Sequence, residues 1–338
     1  MNASISGNCR TGCVSRLTRG PGLGTNGHPV PEIDSMTQRK CRLFVVDSFT
    51  RNLFCGNPAV VVLDAEQLTN EEMLQITREV AGSEVAFVLE SDSADYDIEL
   101  RFFSPRREMA FVGHATVAAH YARAIADGKP EGRVRQKSGP TIVEVEVTGE
   151  APALSVTIHQ SPASFGPTLV ADRRSAVLDA LGISSDSLHP ECPIQVMTQA
   201  SSRLMIGLRS PETLESLQPQ MDTLMHLTSH VGADGFFVFG LLPDSDPVSV
   251  EARMFCPALG IPEDAVSGNA TGMLGVFLVK NGLLPVKDGN AHLIAHQGRF
   301  VNRPGRVDVG ISASGKRATE VRVTGDAVVF YQAALEIP

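Results

Sequence analysis

Tryptophan is absent from the 338 residues, and tyrosine occurs only 3 times. Without those side chains, the stacking platforms of single-strand nucleic-acid binders have little to be built from. Basic charge is also short: 29 Lys and Arg against 38 Asp and Glu give a net charge of −9. No basic stripe is present to neutralise phosphates, which excludes a nucleic-acid partner. No apolar run approaches the ~18 residues of a membrane span, so no transmembrane helix is expected. The 6 cysteines (Cys9, Cys13, Cys41, Cys55, Cys192, Cys256) lie far apart, and no secretory apolar stretch precedes them. They read as reduced, mostly buried thiols of a cytoplasmic protein. Cys9 and Cys13 have no second pair at metal spacing. His226 and His230 are four apart on a predicted helix but lack a Glu or third ligand, so no metal is expected. His292 and His296 share one face of a predicted strand and read as ordinary surface or core histidines. No Walker loop, G-x-S-x-G elbow or kinase set occurs.

What the chain does contain is a repeat. Residues 99–128, ELRFFSPRREMAFVGHATVAAHYARAIADG, return as 251–282, EARMFCPALGIPEDAVSGNATGMLGVFLVKNG. Both copies run Arg-x-Phe-x-Pro (Arg101, Phe103, Pro105; Arg253, Phe255, Pro257). Both then reach Gly, a polar residue, Ala and Thr: Gly113-His114-Ala115-Thr116 and Gly268-Asn269-Ala270-Thr271. Each copy closes on a helix apolar on nearly every face, which must be buried. The segment before each helix reads as a loop, with helices expected over 115–126 and 271–281. The N-terminal end of a buried helix carries unpaired N–H groups and a positive dipole end, and such ends bind carboxylates and other anions. Two related halves would bring two such ends to one cleft. On the alternative reading, Gly113 and Gly268 are only tight turns and Thr116 and Thr271 only caps.

Strand signals precede and follow each helix. Strands are expected at 43–49, 59–63, 84–89, 97–103, 141–147 and 154–158, and again at 194–198, 202–208, 236–239, 250–255, 291–295, 307–311, 320–324 and 327–332. Thr69 with Glu72 three residues on marks a capping box for a helix to Val80. Residues 221–229 fit a second short helix. Phe236–Phe239 matches the strand after Glu84 at an offset of 150, which sets Asp234 opposite Glu84. The expected architecture is therefore α+β, with two similar duplicated domains, each a barrel-like, mostly antiparallel sheet wrapped around a central helix. Residues 1–40, rich in Gly, Ser, Asn and Pro, read as a disordered or mis-assigned extension, with Met36 as an alternative start. Residues 41–160 form the first half, 161–325 the second, and 326–338 a terminal strand that could return to the first half.

The motifs VDSFTRNLFCGNPAVVVL, SEVAFVL, RFFSPRREMAFVGHAT, ADGFFVF, RMFCPALGIPEDAVSGNATG and QGRFVNRPG together resemble the phenazine-biosynthesis (PhzF-like) isomerase family, in order, over 41–335. The resemblance implies the diaminopimelate-epimerase-like fold, with the active site between the halves. It further implies a cofactor-independent proton shuttle acting on a small carboxylate-bearing metabolite, in a homodimer. Ser83-Glu84 occupies the place of the family's acid/base glutamate. His114 matches the Gly-His histidine, and Asp264 the aspartate of ED-x-x-[ST]-G. Gly113 and Gly268 would hold the substrate carboxylate, with Ser267, Asn269 and Asn57 lining the same pocket and Ser83 beside them. A base that returns its proton as an acid suits such chemistry.

Diaminopimelate epimerases place a cysteine just before each helix start, whereas this chain has Val112 and Ser267. Two-cysteine racemisation is therefore disfavoured, leaving Cys55, before Gly56-Asn57, as the thiol to locate. An amino-acid epimerase and a non-catalytic small-molecule-binding protein remain the alternatives, since fold does not fix function. Asn269 in place of His114 suggests one catalytic half and one binding half.

Overall fold

The computed structural model describes residues 39–80, 84–128 and 132–337. Residues 1–38 of the expected extension, with Met36, Cys9 and Cys13, and Ser83 lie outside the described residues, whereas Arg39 and Lys40, read as part of the extension, begin β1 because they pair with Ile337 and Glu336. The first half of the chain comprises β1 (Arg39–Ser48), β2 (Asn57–Leu63), α1 (Asn70–Val80), β3 (Val85–Glu90), β4 (Ile98–Phe103), β5 (Glu108–Met109), α2 (Gly113–Asp127), β6 (Gly132–Ser138), β7 (Thr141–Glu150) and β8 (Ala153–Gln160). The second comprises β9 (Ser164–Thr168), α3 (Ala171–Leu181), β10 (Gln195–Thr198), β11 (Ser202–Leu208), α4 (Thr213–Ser216), α5 (Met221–Val231), β12 (Gly235–Leu241), β13 (Val248–Cys256), β14 (Ile261–Asp264), α6 (Gly268–Asn281), β15 (Asn290–Gln297), β16 (Gly305–Ser314) and β17 (Arg317–Ile337). No helix among the described residues is long and apolar enough to cross a membrane.

The repeat is visible in the pairing. Most neighbouring strands are antiparallel, but β2–β3 and β4–β6 are parallel, as are β11–β12 and β13–β15. A parallel pair needs a crossover. α1 and α5 supply one at matching places, and α2 and α6 supply the other. Pairings β1–β2–β3–β4–β6–β7–β8–β17–β1 close the first half into a barrel. α2 fills it, packed against β1, β2, β3, β8 and β17, while α6 packs against β10, β15, β16 and β17. Both helices are buried on almost every face, as their sequence requires. β17 belongs to both halves: residues 317–324 pair with β16, 321–326 with β8 and 327–337 with β1. At α1 the capping box is in place, with Thr69 N–H donating to Glu72 Oε2 (2.8 Å) and Glu72 N–H to Thr69 Oγ1 (3.3 Å).

Phe49, at the end of β1, anchors the second helix from below. Its φ is +64°, a conformation uncommon outside glycine. Its N–H donates to Asp326 O (2.7 Å), and its own carbonyl accepts from Arg306 N–H (2.9 Å). The ring is packed so closely that a Cβ on Gly325 would fall 2.4 Å from it and one on Gly268 2.7 Å. Glycine at both positions is what lets the aromatic ring lie between β17 and the start of α6.

A buried polar chain runs through the first barrel. His120 on α2, 1 % exposed, shares a hydrogen bond with Gln136 Oε1 (2.9 Å), and Gln136 donates to Ser138 Oγ (2.8 Å). His120 Nδ1 is buried with no partner. A proton added there would sit without an acceptor, and burial pushes the imidazole pKa down to about 4 from its ordinary 6.5. The folded state therefore refuses a proton that the unfolded chain accepts below about pH 6.5. Stability is full above that value and falls as the pH drops toward 4, by roughly 3 kcal/mol in total. Urea unfolding at pH 7 and pH 4.5 is expected to show this loss, and His120→Gln to remove its share of the acid slope.

Candidate active site

Both helices begin at the repeated glycine itself. The expected loops are the first helical turns, with Gly113 and Gly268 as first residues. Thr116 and Thr271 are not caps: each hydroxyl donates back to the carbonyl four residues earlier, Val112 (3.0 Å) and Ser267 (2.8 Å). The N-cap of α6 is Ser267, whose Oγ accepts from Ala270 N–H. The N-cap of α2 is Val112, whose apolar side chain has no acceptor to offer, so the first-turn N–H groups of α2 lack a side-chain cap. The two starts nearly touch. A Cβ on Gly113 would lie 2.9 Å from Asn269 Oδ1, the atom that accepts from Gln160 Nε2 (3.2 Å). Glycine at 113 thus leaves room for the Asn269 side chain of the other helix start.

These ends open on a cleft of about 710 Å³ lined from both halves, including Asn57, Glu84, Gly113, His114, Asp264, Ser267, Gly268 and Asn269. The structure brings every described candidate together there. Glu84 directly precedes β3, and His114 is the second residue of α2. His114 Nε2 lies 3.6 Å from Glu84 Oε2, with side chains 12 % and 16 % exposed. Ser48 Oγ donates to the His114 carbonyl (2.8 Å) and fixes that turn. Asp264 ends β14 and is held by Asn57, whose Nδ2 donates to Asp264 Oδ1 (2.7 Å) and to Val266 O (2.8 Å). Gln297 ties the same corner to the α6 start, donating to Asp264 O (2.7 Å) and accepting from Ser267 N–H (3.1 Å). Burial in the cleft pushes the Asp264 carboxyl pKa up. The nearby Glu84 charge acts the same way, while His114 and the Asn57 hydrogen bond oppose it.

The repeated Arg-x-Phe element frames the cleft. Arg101 forks onto Glu108 (2.8 and 2.8 Å) and Arg253 onto Glu263 (2.9 and 2.7 Å), each guanidinium also lying over the Phe two residues on. Glu108 and Glu263 line the cleft, but their charges are already paired. Asp234, the repeat counterpart of Glu84, accepts from Ser202 N–H (2.9 Å) and has a side chain 51 % exposed. Among the lining residues that sequence reading did not place at the cleft are Arg203 and Cys256, the latter read as a packing residue at the end of its strand. An arginine opening the otherwise apolar run RLMIGL was the available signal for the first.

Thiol chemistry has no place at the helix starts. Cys55 borders a different surface hollow, with Phe49 and His296. Cys256 does reach the cleft, but burial pushes its thiol pKa up to about 12. Alkylation with iodoacetamide at neutral pH is expected to leave turnover within about two-fold of the untreated protein, because a suppressed thiolate reacts slowly. Rapid inactivation would point to a cysteine base.

The profile of the family described as phenazine biosynthesis-like protein matches residues 46–333. An uncharacterized isomerase of Clostridium acetobutylicum is 37% identical over 297 residues, 88% of this chain and 98% of its own length. A trans-2,3-dihydro-3-hydroxyanthranilate isomerase of Pseudomonas aeruginosa is 28% identical over 296 residues, covering 86% of this chain and 97% of its own. Among solved structures, the Bacillus anthracis phenazine biosynthesis protein of the PhzF family superposes with a TM-score of 0.76 at 25% identity, over 88% of this chain and 100% of its own. A hydroxyproline epimerase from Agrobacterium vitis shares the fold alone, at TM-score 0.60 and 13% identity over 89% of this chain and 93% of its own.

Proposed function

Because this chain belongs to the phenazine biosynthesis-like family, we propose that it is an isomerase that moves a proton between carbons of a small carboxylate-bearing metabolite. The observation that carries this reading is the Glu84–His114 pair, 3.6 Å apart and partly buried, beside two adjoining helix starts. The N–H groups of those starts hold the substrate carboxylate, and they bind it more strongly as enolate-like charge develops on deprotonation. Glu84 takes the proton from one carbon and returns it to another, acting as base and then acid. His114 stays within reach of the glutamate and orders it. Asp264, whose carboxyl keeps its proton more readily than usual, is suited to donating toward the substrate on the other wall. The chain's own side chains supply acid and base, so the proposed reaction uses no cofactor.

The reading is tested by incubating small unsaturated or hydroxylated carboxylic acids with the protein in deuterated buffer and following label by NMR. Protein-dependent exchange or double-bond migration supports it. Ligand-induced thermal stabilisation across the panel with no exchange in any member would leave a binding protein instead.

A further inference from the structure

The cleft contains a cation that this proton chemistry does not use. Arg203, the second residue of β11, is 9 % exposed and lines the cleft together with Ser201 and Cys256. One edge of its guanidinium is committed: Nη1 donates to Ser202 O (2.9 Å) and lies 3.9 Å from Asp234 Oδ2. The Nε–H is buried with no acceptor. Leaving such a donor unpaired is costly, and the following strand residues are apolar core that need no guanidinium. Gly235 pairs in register with Arg203, and a Cβ there would fall 2.5 Å from Cys256 Sγ and 3.4 Å from Arg203 Cδ. Glycine thus lets the arginine stem and the Cys256 thiol pack directly against β12, which fixes where the guanidinium sits at the cleft wall. Its charge bears on Asp264 as well as Cys256, so it belongs to the same compartment as the proposed reacting groups.

We propose that Arg203 receives a second carboxylate of the substrate, so that the ligand is a dicarboxylate spanning from the helix starts to β11. This rests on the isomerase reading only for the placement of the first carboxylate. The free Nε edge of a planar guanidinium matches a carboxylate better than it matches a neutral oxygen. Arg106 and Arg107, on the exposed loop between β4 and β5 that lines the cleft, add positive potential at the mouth and draw a dianion in.

Isothermal titration with glutarate and butyrate, which differ by one carboxylate, tests the assignment. The wild type is expected to bind glutarate at least about 10-fold more tightly than butyrate. Arg203→Gln brings glutarate down to the butyrate affinity and leaves butyrate unchanged, while Arg203→Lys, which keeps charge without the fork, falls between. Circular dichroism identifies a variant that fails to fold, in which case the wild-type ratio and the lysine variant decide. Equal affinities in the wild type, no binding of either acid, or a preference undiminished in the folded variants overturns the proposal. Glu84→Gln should keep the preference, because binding is read without turnover. A failed proton shuttle and a failed Arg203 subsite are therefore distinguishable.

Discussion

Glu84→Gln is expected to slow solvent-deuterium exchange by roughly 10²- to 10⁴-fold, the usual contribution of a positioned acid or base. Glutamine has the same size and fills the same partly buried place at the foot of β3. It accepts no proton, however, and it withdraws the anion from His114. The helix starts proposed to hold the carboxylate are untouched, so the loss should fall on kcat with KM nearly constant, the signature of an interaction used only during the reaction. His114→Asn should cost less, since it removes a partner of the base rather than the base. Equal exchange by wild type and Glu84→Gln would remove Glu84 from the mechanism.

Arg303→Ala is expected to lower unfolding free energy by about 3 kcal/mol, the low end of the range for breaking a buried ion pair, because Asp47 is buried while the guanidinium is 28 % exposed. Arg303 pairs with Asp47, whose residue is 4 % exposed, and Phe54 N–H donates to the same carboxylate (2.9 Å). The guanidinium also donates to Gly56 O (3.0 Å) and Cys55 O (2.9 Å). One side chain from the second half thereby pins the turn that delivers Asn57 to Asp264. Its removal leaves Asp47 unpaired and the Asn57 backbone loose, so activity should fall along with stability. Urea denaturation with far-ultraviolet circular dichroism reads the first effect and solvent exchange the second. Arg303→Lys restores the charge but cannot reach both carbonyls and the carboxylate with one planar fork, and it should recover only part of each. A variant as stable as wild type would mean that the turn is held by its own backbone.

Much of the site was legible because it is written twice. The Gly-x-Ala-Thr elements lie at equivalent helix starts, and the offset of 150 does align Asp234 with Glu84 in the strand order. Their different surroundings were not legible, because Ser202 N–H and Arg203 reach Asp234 from a neighbouring strand. Of the elements that went unseen, among them β5, β9, α4 and β14, two were hidden for opposite reasons. β6 reads GRVRQKS and carries its buried polar residues, Gln136 and Ser138, where an apolar period would be sought. In α3, the buried positions fall only in the last turns, Val177, Leu178, Ala180 and Leu181. At Gly325 the sequence suggested a break between two strands. The structure runs one strand through it, because the glycine there makes room for the Phe49 ring. Arg101 and Arg253 showed only as repeated letters until their forks onto Glu108 and Glu263 gave the repetition a cause.

The 21-residue β17 also determines how the molecule comes apart. A flexible connector between two barrels would let each melt at its own temperature and let the gap between them open like a jaw. Here the connector is itself a stave of the first barrel and a strand of the second half's sheet, so neither half can lose it and keep its pairing. Calorimetry should record a single cooperative transition, and separately expressed halves should not fold as independent pieces. The spacing between the two glycine-led helix ends is thereby tied to the pairing of one continuous strand.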